Sequence, residues 1–247
     1  MRMISVITAV YDPEPGHLLE AYRSLASQEL PDGWAWEWLV QEDGRTGVAR
    51  DVLPPDERVV HGSGRKSGVA ITRNLALSRA RGELVKNLDQ DDVLTPGVLA
   101  RDVAAIGSGV QWTTSRALDL MPDGSLVEFD GDLAGGRLEP GVVLDHWRRN
   151  DFRLPVHPTT MCLRRDLAVL LGGWMAVPGS DDTGLLIAAS VLTAGFFESA
   201  VGLHYRKWPG QGSASGSAHY ETVEWNARMK LINERAEALQ SMVDTRA

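Results

Sequence analysis

Leu84-Val-Lys-Asn-Leu-Asp-Gln-Asp-Asp92 is the stretch whose reading decides the fold. Its first part, Leu84 to Leu88, reads as a short strand, and it runs straight into three carboxylates within four positions, Asp89, Asp91 and Asp92. Carboxylates this close repel one another, so a fold keeps them together only where something offsets the charge. A hard divalent cation does so, because carboxylate oxygens suit Mg²⁺ or Mn²⁺, which bridge protein carboxylates to substrate phosphates. The other reading is a solvated acidic turn that caps the helix beginning near Pro96. The position after an apolar strand favours the cation, because ligands on open α/β sheets bind beyond the carboxyl ends of the strands.

Working outward, strands and helices alternate. Ile4 to Val10 is a strand rich in β-branched residues, followed by a loop from Tyr11 to Gly16. His17 to Gln28 has Leu18, Tyr22 and Leu25 at helical spacing. Trp34, Trp36 and Trp38 alternate into Leu39 and Val40, a second strand that stops at Gln41-Glu42-Asp43-Gly44. Val59 and Val60 mark a short third strand. Gly68 to Arg81 reads as a helix with Ile71, Leu75 and Ala76 on its buried face, stopped by Gly82. A helix from about Pro96 to Ile106 follows the acidic cluster. This order predicts an α/β fold, with a Rossmann-like, mostly parallel central sheet flanked by helices. The acidic pairs at 42–43 and 89–92 then meet at one crevice.

The second half is less regular. Val110 to Thr114 and Ser125 to Phe129 pair around the turn Met121-Pro-Asp-Gly124, and 131–136 is a loop. Val156 to Leu163 reads as a strand, Arg165 to Leu171 as a short helix, and Ala200 to Arg206 as a late strand. A buried helix begins after Asp182 and runs to about Ala194. Residues 211–217 are rich in Gly and Ser, the composition of a flexible segment. Apolar residues at 220, 223, 227, 231, 239 and 243 predict a long amphipathic C-terminal helix, packed on its own core or on a second subunit of a homodimer.

Composition narrows the function. Acidic residues number 33 against 25 basic, a formal charge of −8, which disfavours nucleic acid as a partner. The one cysteine, Cys162, sits among Thr160, Met161 and Leu163 and reads as a core residue. The longest uncharged run, Thr183 to Phe197, is short of the roughly 20 residues of a membrane span, and the N-terminal apolar stretch is too brief for a signal peptide. A soluble, cytoplasmic protein is expected. Gly62-Ser-Gly-Arg-Lys-Ser67 lacks the glycine that directly precedes a P-loop lysine. No Gly-x-Gly-x-x-Gly follows the first strand, and the six histidines show no metal-site spacing.

Several motifs together resemble family 2 glycosyltransferases. Ile4-Ser-Val-Ile-Thr-Ala-Val-Tyr11 is similar to the family's opening strand, and Val40-Gln-Glu-Asp-Gly44 sits where it carries an acidic pair. Gly68-Val-Ala-Ile-Thr-Arg-Asn74 with Ala80-Arg-Gly82 resembles its Arg-Asn helix, and Leu88-Asp-Gln-Asp-Asp92 its metal-binding Asp-x-Asp segment. Gly172-Gly-Trp174 before Asp181-Asp182, then Tyr205-Arg206 and Gln211 with Ser213, resemble its later motifs.

The resemblance implies a GT-A fold and an inverting, hexosyltransferase-like transfer from a nucleoside diphosphate sugar, UDP favoured, assisted by Mn²⁺ or Mg²⁺. Residues 1–106 would form the nucleotide-sugar half, 107–218 the acceptor-binding and catalytic half, and 219–247 the C-terminal helix. Thr8 and Tyr11 would line the nucleotide pocket. Glu42 would reach the base, where the family usually has Asp. Arg73 would lie near base or phosphate, and Asp89 on the ribose or metal side. Asp91 would ligate the metal, with Asp92 assisting. Asp182 would be the catalytic base, with Asp181 in the place of a usual Glu and the choice between them open. Arg206 would approach the diphosphate, with Lys66 as further cationic support. Trp208 stands where many members have a metal-side histidine, and with Trp174 it is a candidate sugar contact. The acceptor stays unassigned, its contacts expected in 107–160. A nucleotidyltransferase acting on a sugar phosphate, or a non-catalytic nucleotide- or sugar-binding module, are the alternative readings. The first would more typically carry a Gly-rich, Arg/Lys-bearing loop after strand one.

Overall fold

The computed structural model describes residues 1–128, 133–211 and 223–245. Phe129, Gly131, the segment 212–217 with Ser213, and Tyr220 therefore lie outside the described residues.

The first half runs β1 (Arg2–Val10), α1 (Pro15–Ala26), β2 (Trp34–Glu42), α2 (Val48–Val52), β3 (Val59–Ser63), α3 (Val69–Leu77), β4 (Leu84–Asn87), β5 (Val93–Leu94) and α4 (Val98–Gly107). The second half runs β6 (Trp112–Leu120), β7 (Leu126–Glu128), β8 (Gly136–Leu138), α5 (Val142–Arg149), a 3₁₀ turn at Pro158–Thr160, β9 (Cys162–Arg164), α6 (Arg165–Leu170), α7 (Asp181–Leu192), β10 (Gly195–Arg206) and α8 (Val223–Asp244). Among the described residues these strands form one sheet in the order β3-β2-β1-β4-β9-β6-β10-β5, with β7 on β6 and β8 on β10.

The long pairings, β1 with β2 and β6 with β10, are parallel, as are β1 with β4 and β2 with β3. The short strands β5, β7, β8 and β9 join antiparallel. Register explains the site. Val10 pairs with Glu42, Glu42 with Ser63, and Ile7 with Asn87, so β1 to β4 all end along one edge of the sheet.

Strand periodicity sorts the core into two layers. Ile4, Val6 and Val10 pack with Trp36, Trp38, Val40 and Leu99 beneath α1 and α4. Ile7 and Leu39 face the other way, into the core formed with α3, α5, α7 and α8. Residues 184–191 of α7 are all buried, as expected for a helix that is apolar around its whole circumference. Lys86 of β4 and Asp102 of α4, 1% and 2% exposed, pair at 2.8 Å, and the Lys86 ammonium also donates to the Thr160 carbonyl at 2.9 Å. This ion pair bolts α4 to the sheet.

Local boundaries differ from the sequence reading in informative ways. On α3, Ile71 and Leu75 are 41% and 42% exposed, while Ala70, Arg73, Ala76 and Leu77 are buried. The helix is rotated because Arg73 turns inward toward two carboxylates. On α8 the buried stripe is Met229, Ile232 and Ala236, whereas Val223 and Leu231 face solvent, and the helix packs on its own chain's core. Val156 to Leu163 is not a continuous strand, because Pro158 opens a 3₁₀ turn and leaves only β9. β10 begins at Gly195 and α7 at Asp181, both earlier than the pattern suggested. The elements α2, α5, β5 and β8 had no legible signal. No helix of the described residues is long and apolar enough to cross a membrane.

Lys86→Met is expected to cost about 3–5 kcal/mol in urea denaturation, because it strands a buried Asp102 charge. The double variant Lys86→Met/Asp102→Leu should recover most of that loss. A double variant no more stable than the single one would refute the charge account.

Candidate active site

The loops at the carboxyl ends of β1, β2 and β4 open into a cavity of about 1310 Å³, closed on its far side by residues 152–159, the start of α7, Trp208 and the first turns of α8. At its centre is Arg73, 4% exposed. One guanidinium nitrogen donates to Asp181 Oδ2 at 2.7 Å and another to Asp89 Oδ1. Burial opposes the Arg73 charge, but the carboxylates of Asp89 and Asp181 outweigh it and raise its pKa. Burial likewise disfavours the Asp89 anion, but Arg73 beside it holds that carboxyl below its usual range.

The backbone sets up this meeting. Asn74, next on α3, exchanges two hydrogen bonds with the Trp174 backbone: its amide donates to the carbonyl at 2.8 Å, and the Trp174 N–H donates back at 2.9 Å. Gly173 must be glycine, since a Cβ there would collide with the Asn74 side chain and its φ is +72°. Ser180 then takes φ +60°, a state that costs a residue with a side chain roughly 1–3 kcal/mol, just before α7 brings Asp181 and Asp182 to the cavity.

The two neighbouring aspartates have different environments. Asp181 is committed to Arg73. Asp182 accepts only from the Thr183 N–H, at 2.6 Å, among the described residues. Burial and then the Asp181 charge push the Asp182 carboxyl up to about 7. The two carboxyls therefore differ in partner, Asp181 bound to the Arg73 guanidinium and Asp182 to a backbone N–H.

The acidic cluster also divides. Asp89 and Asp91 line the cavity, with Gln90 between them. The Gln90 amide accepts from the Tyr11 N–H at 2.9 Å and donates to the Tyr11 carbonyl at 3.1 Å, tying the two loops together. Asp91 Oδ2 accepts from the Trp208 indole N–H at 2.6 Å. Burial raises the Asp91 carboxyl. Asp92 is fully buried away from the cavity, its Oδ1 accepting from the Arg206 N–H at 2.9 Å. Burial and the charges of Asp89 and Asp91 raise its carboxyl well above the usual range, and its hydrogen bond braces the end of β10.

Several sequence candidates are structural in place. Thr8 is buried, its hydroxyl donating to the Leu88 carbonyl at 2.5 Å and accepting from the Trp38 indole at 2.7 Å. Glu42 holds its own loop through Thr46 and the Gly47 N–H. Burial disfavours the Glu42 anion, but these donors lower its pKa. Its neighbour Asp43 is the one on the cavity wall, accepting from the Ser67 and Gly68 N–H groups at 2.6 and 3.1 Å. Arg206 donates to the Asp91 carbonyl at 2.7 Å and pairs with Glu20. Trp174 is 1% exposed and lies in the core instead of on a sugar-facing wall. Lys66 sits over the Tyr11 ring at 3.9 Å. His157 and Thr159 line the cavity without any sequence signal. Burial drives the His157 imidazole down to about 4, so it is neutral near pH 7.

Among the described residues no three His, Cys, Asp or Glu side chains are grouped to hold a metal by themselves. The Asp91 carboxylate on the cavity wall would suit a hard cation whose shell is completed by a substrate's phosphates.

Residues 5–111 match the model described as Glycosyl transferase family 2. The resemblance read from the motifs holds over that segment. A structure of S. aureus TarS residues 1–349 in complex with UDP-GlcNAc superposes with a TM-score of 0.71 at 20% identity, covering 95% of this chain and 66% of that one. A second, in complex with UDP, gives 0.66 at 18% identity over 95% of this chain and 65% of that chain. The fold is thus the GT-A fold, with the C-terminal helix present. "Putative teichuronic acid biosynthesis glycosyltransferase TuaG" of Bacillus subtilis (strain 168) is 36% identical over 95 residues, 36% of this chain and 36% of its own length. "Uncharacterized protein y4gI" of Sinorhizobium fredii (strain NBRC 101917 / NGR234) is 29% identical over 156 residues, 60% of this chain. The chain spans only 16% of that relative's length.

Arg73→Met removes the counter-charge that holds the Asp89 carboxyl below its usual range, so burial should make Asp89 titrate above its unfolded value. The unfolded chain then binds fewer protons than the native one, and stability falls as pH rises. Urea denaturation should show a deficit of about 3–5 kcal/mol near pH 8 that shrinks near pH 5. An equal deficit at both would remove charge as the reason.

Proposed function

We propose that this protein is a glycosyltransferase that moves a sugar from a UDP-sugar to an acceptor hydroxyl with inversion at the anomeric carbon. Asp182 carries the reading: a half-buried carboxyl on the cavity wall, poised at about 7, beside an Asp181 that is paired with Arg73. Support also comes from the family 2 match over residues 5–111 and from the likeness to structures of TarS in complex with UDP-GlcNAc and with UDP.

In this reading the donor lies along the edge formed by Tyr11, Asp43, Arg73 and Asp89, within the 1–106 half. The acceptor enters past residues 152–158. Asp182 takes the proton of the attacking hydroxyl, which is a poor nucleophile until it is deprotonated. Attack comes from the face opposite the leaving diphosphate, hence inversion. Asp181 and Arg73 keep the Asp182 carboxyl placed without sharing its proton. Asp91 would hold Mn²⁺ or Mg²⁺, which when bound supplies positive charge against the leaving diphosphate. His157, neutral at working pH, adds a polar wall without adding charge.

A general base near 7 fixes the sign of the pH dependence. Asp182 is protonated and inactive below that value and ionised above it, so kcat/KM for donor consumption should rise through about pH 7 and level off. Asp182→Asn should lower kcat by roughly 10²–10⁴-fold while UDP binding persists. A profile that falls with pH, or an Asp182→Asn enzyme of full activity, excludes Asp182 as the base.

Calorimetric titration of UDP, GDP and dTDP with and without Mn²⁺ tests the donor. UDP should bind most tightly, with a Mn²⁺-dependent gain that disappears in Asp91→Asn. Absence of binding by all three nucleotides would overturn the glycosyltransferase reading.

A further inference from the structure

Trp208 lines the cavity with its ring held on several sides. It follows β10 directly, and its indole N–H donates to Asp91 Oδ2 at 2.6 Å. The ring meets His17 of α1 edge-on, with centroids 5.0 Å apart. On its other side the chain turns back over it. The Gln211 N–H donates to the Trp208 carbonyl at 3.1 Å, and a Cβ at Gly210 would collide with the indole. The ring is therefore clamped, and its N–H is aimed at one oxygen of a cavity carboxylate.

An indole N–H only donates and cannot ligate a cation. A carboxylate oxygen that accepts a 2.6 Å hydrogen bond is correspondingly less available to an ion, while its partner oxygen is held in a set direction. Outer donors of this kind orient ligating carboxylates and are worth 10–100-fold in metal affinity. Among the described residues no group of three potential ligands exists, so the shell around Asp91 has room for diphosphate and water oxygens.

We propose that Trp208 is the positioning residue of the donor-site cation: it limits Asp91 to a single ligating oxygen, fixes that oxygen's direction, and makes cation binding conditional on a nucleoside diphosphate. The proposal rests on the donor-site reading above. Its consequence is a cation that enters and leaves with the nucleotide, not one resident in the protein.

Mn²⁺ binding followed by electron paramagnetic resonance and calorimetry, with and without UDP, tests this on the full chain. Wild-type protein should leave Mn²⁺ free without UDP and bind it once UDP is present. Trp208→Phe keeps a ring against His17 and Gly210 but removes the N–H. It should reduce the Mn²⁺-dependent gain in UDP affinity by roughly 10–100-fold, with metal-free UDP affinity and melting temperature unchanged. Combined with Asp91→Asn it should cost nothing further, because it acts through that carboxylate. An undiminished gain in Trp208→Phe, or Mn²⁺ bound as tightly by wild type without UDP, overturns the proposal. The second outcome needs no variant and so stands even if Trp208→Phe fails to fold. Loss of UDP binding by the wild type in every condition would instead sink the donor reading, and this proposal with it.

Discussion

The Arg73 guanidinium, shared between Asp89 and Asp181, is the interaction on which the rest of the site depends. It joins α3, the loop after β4 and the start of α7, three segments separated by 16 and 108 positions from the arginine. A buried arginine is costly to desolvate, and it is stable here because two carboxylates flank it. The same pairing rotates α3, so that its apolar Ile71 and Leu75 face solvent. The charge network thus overrides the helix's own hydrophobic pattern.

Around that cation, chemically identical side chains take different roles. Asp181 is neutralised, Asp182 is raised to about 7, Asp91 is held by an indole, and Asp92 is buried as a brace. The differences arise from burial, neighbouring charge and hydrogen bonding, which act separately on each carboxyl.

Much of this was legible because it is local. Strand-like runs ending in acidic turns gave the order of β1 to β4, and the ligand edge followed from their shared polarity. The faces of α3 and α8 were not legible, since a helix's apolar residues exceed what one neighbour can cover and packing selects among them. Asp43 and Glu42 are adjacent, and only the loop geometry decides which reaches the cavity. His157 and the wall from 152 to 159 carry no motif at all, because irregular backbone is shaped by what packs on it.

The amino-acid sequence by itself determined the α/β class, the crevice at the strand ends and the family 2 pattern, since periodicity and motif order survive without coordinates. The tertiary structure alone decided which carboxylates pair with Arg73, which tryptophan is core and which faces the cavity, and where Arg206 spends its hydrogen bonds. Those outcomes depend on desolvation and on partners far along the chain, and neither quantity is written in any local stretch of residues.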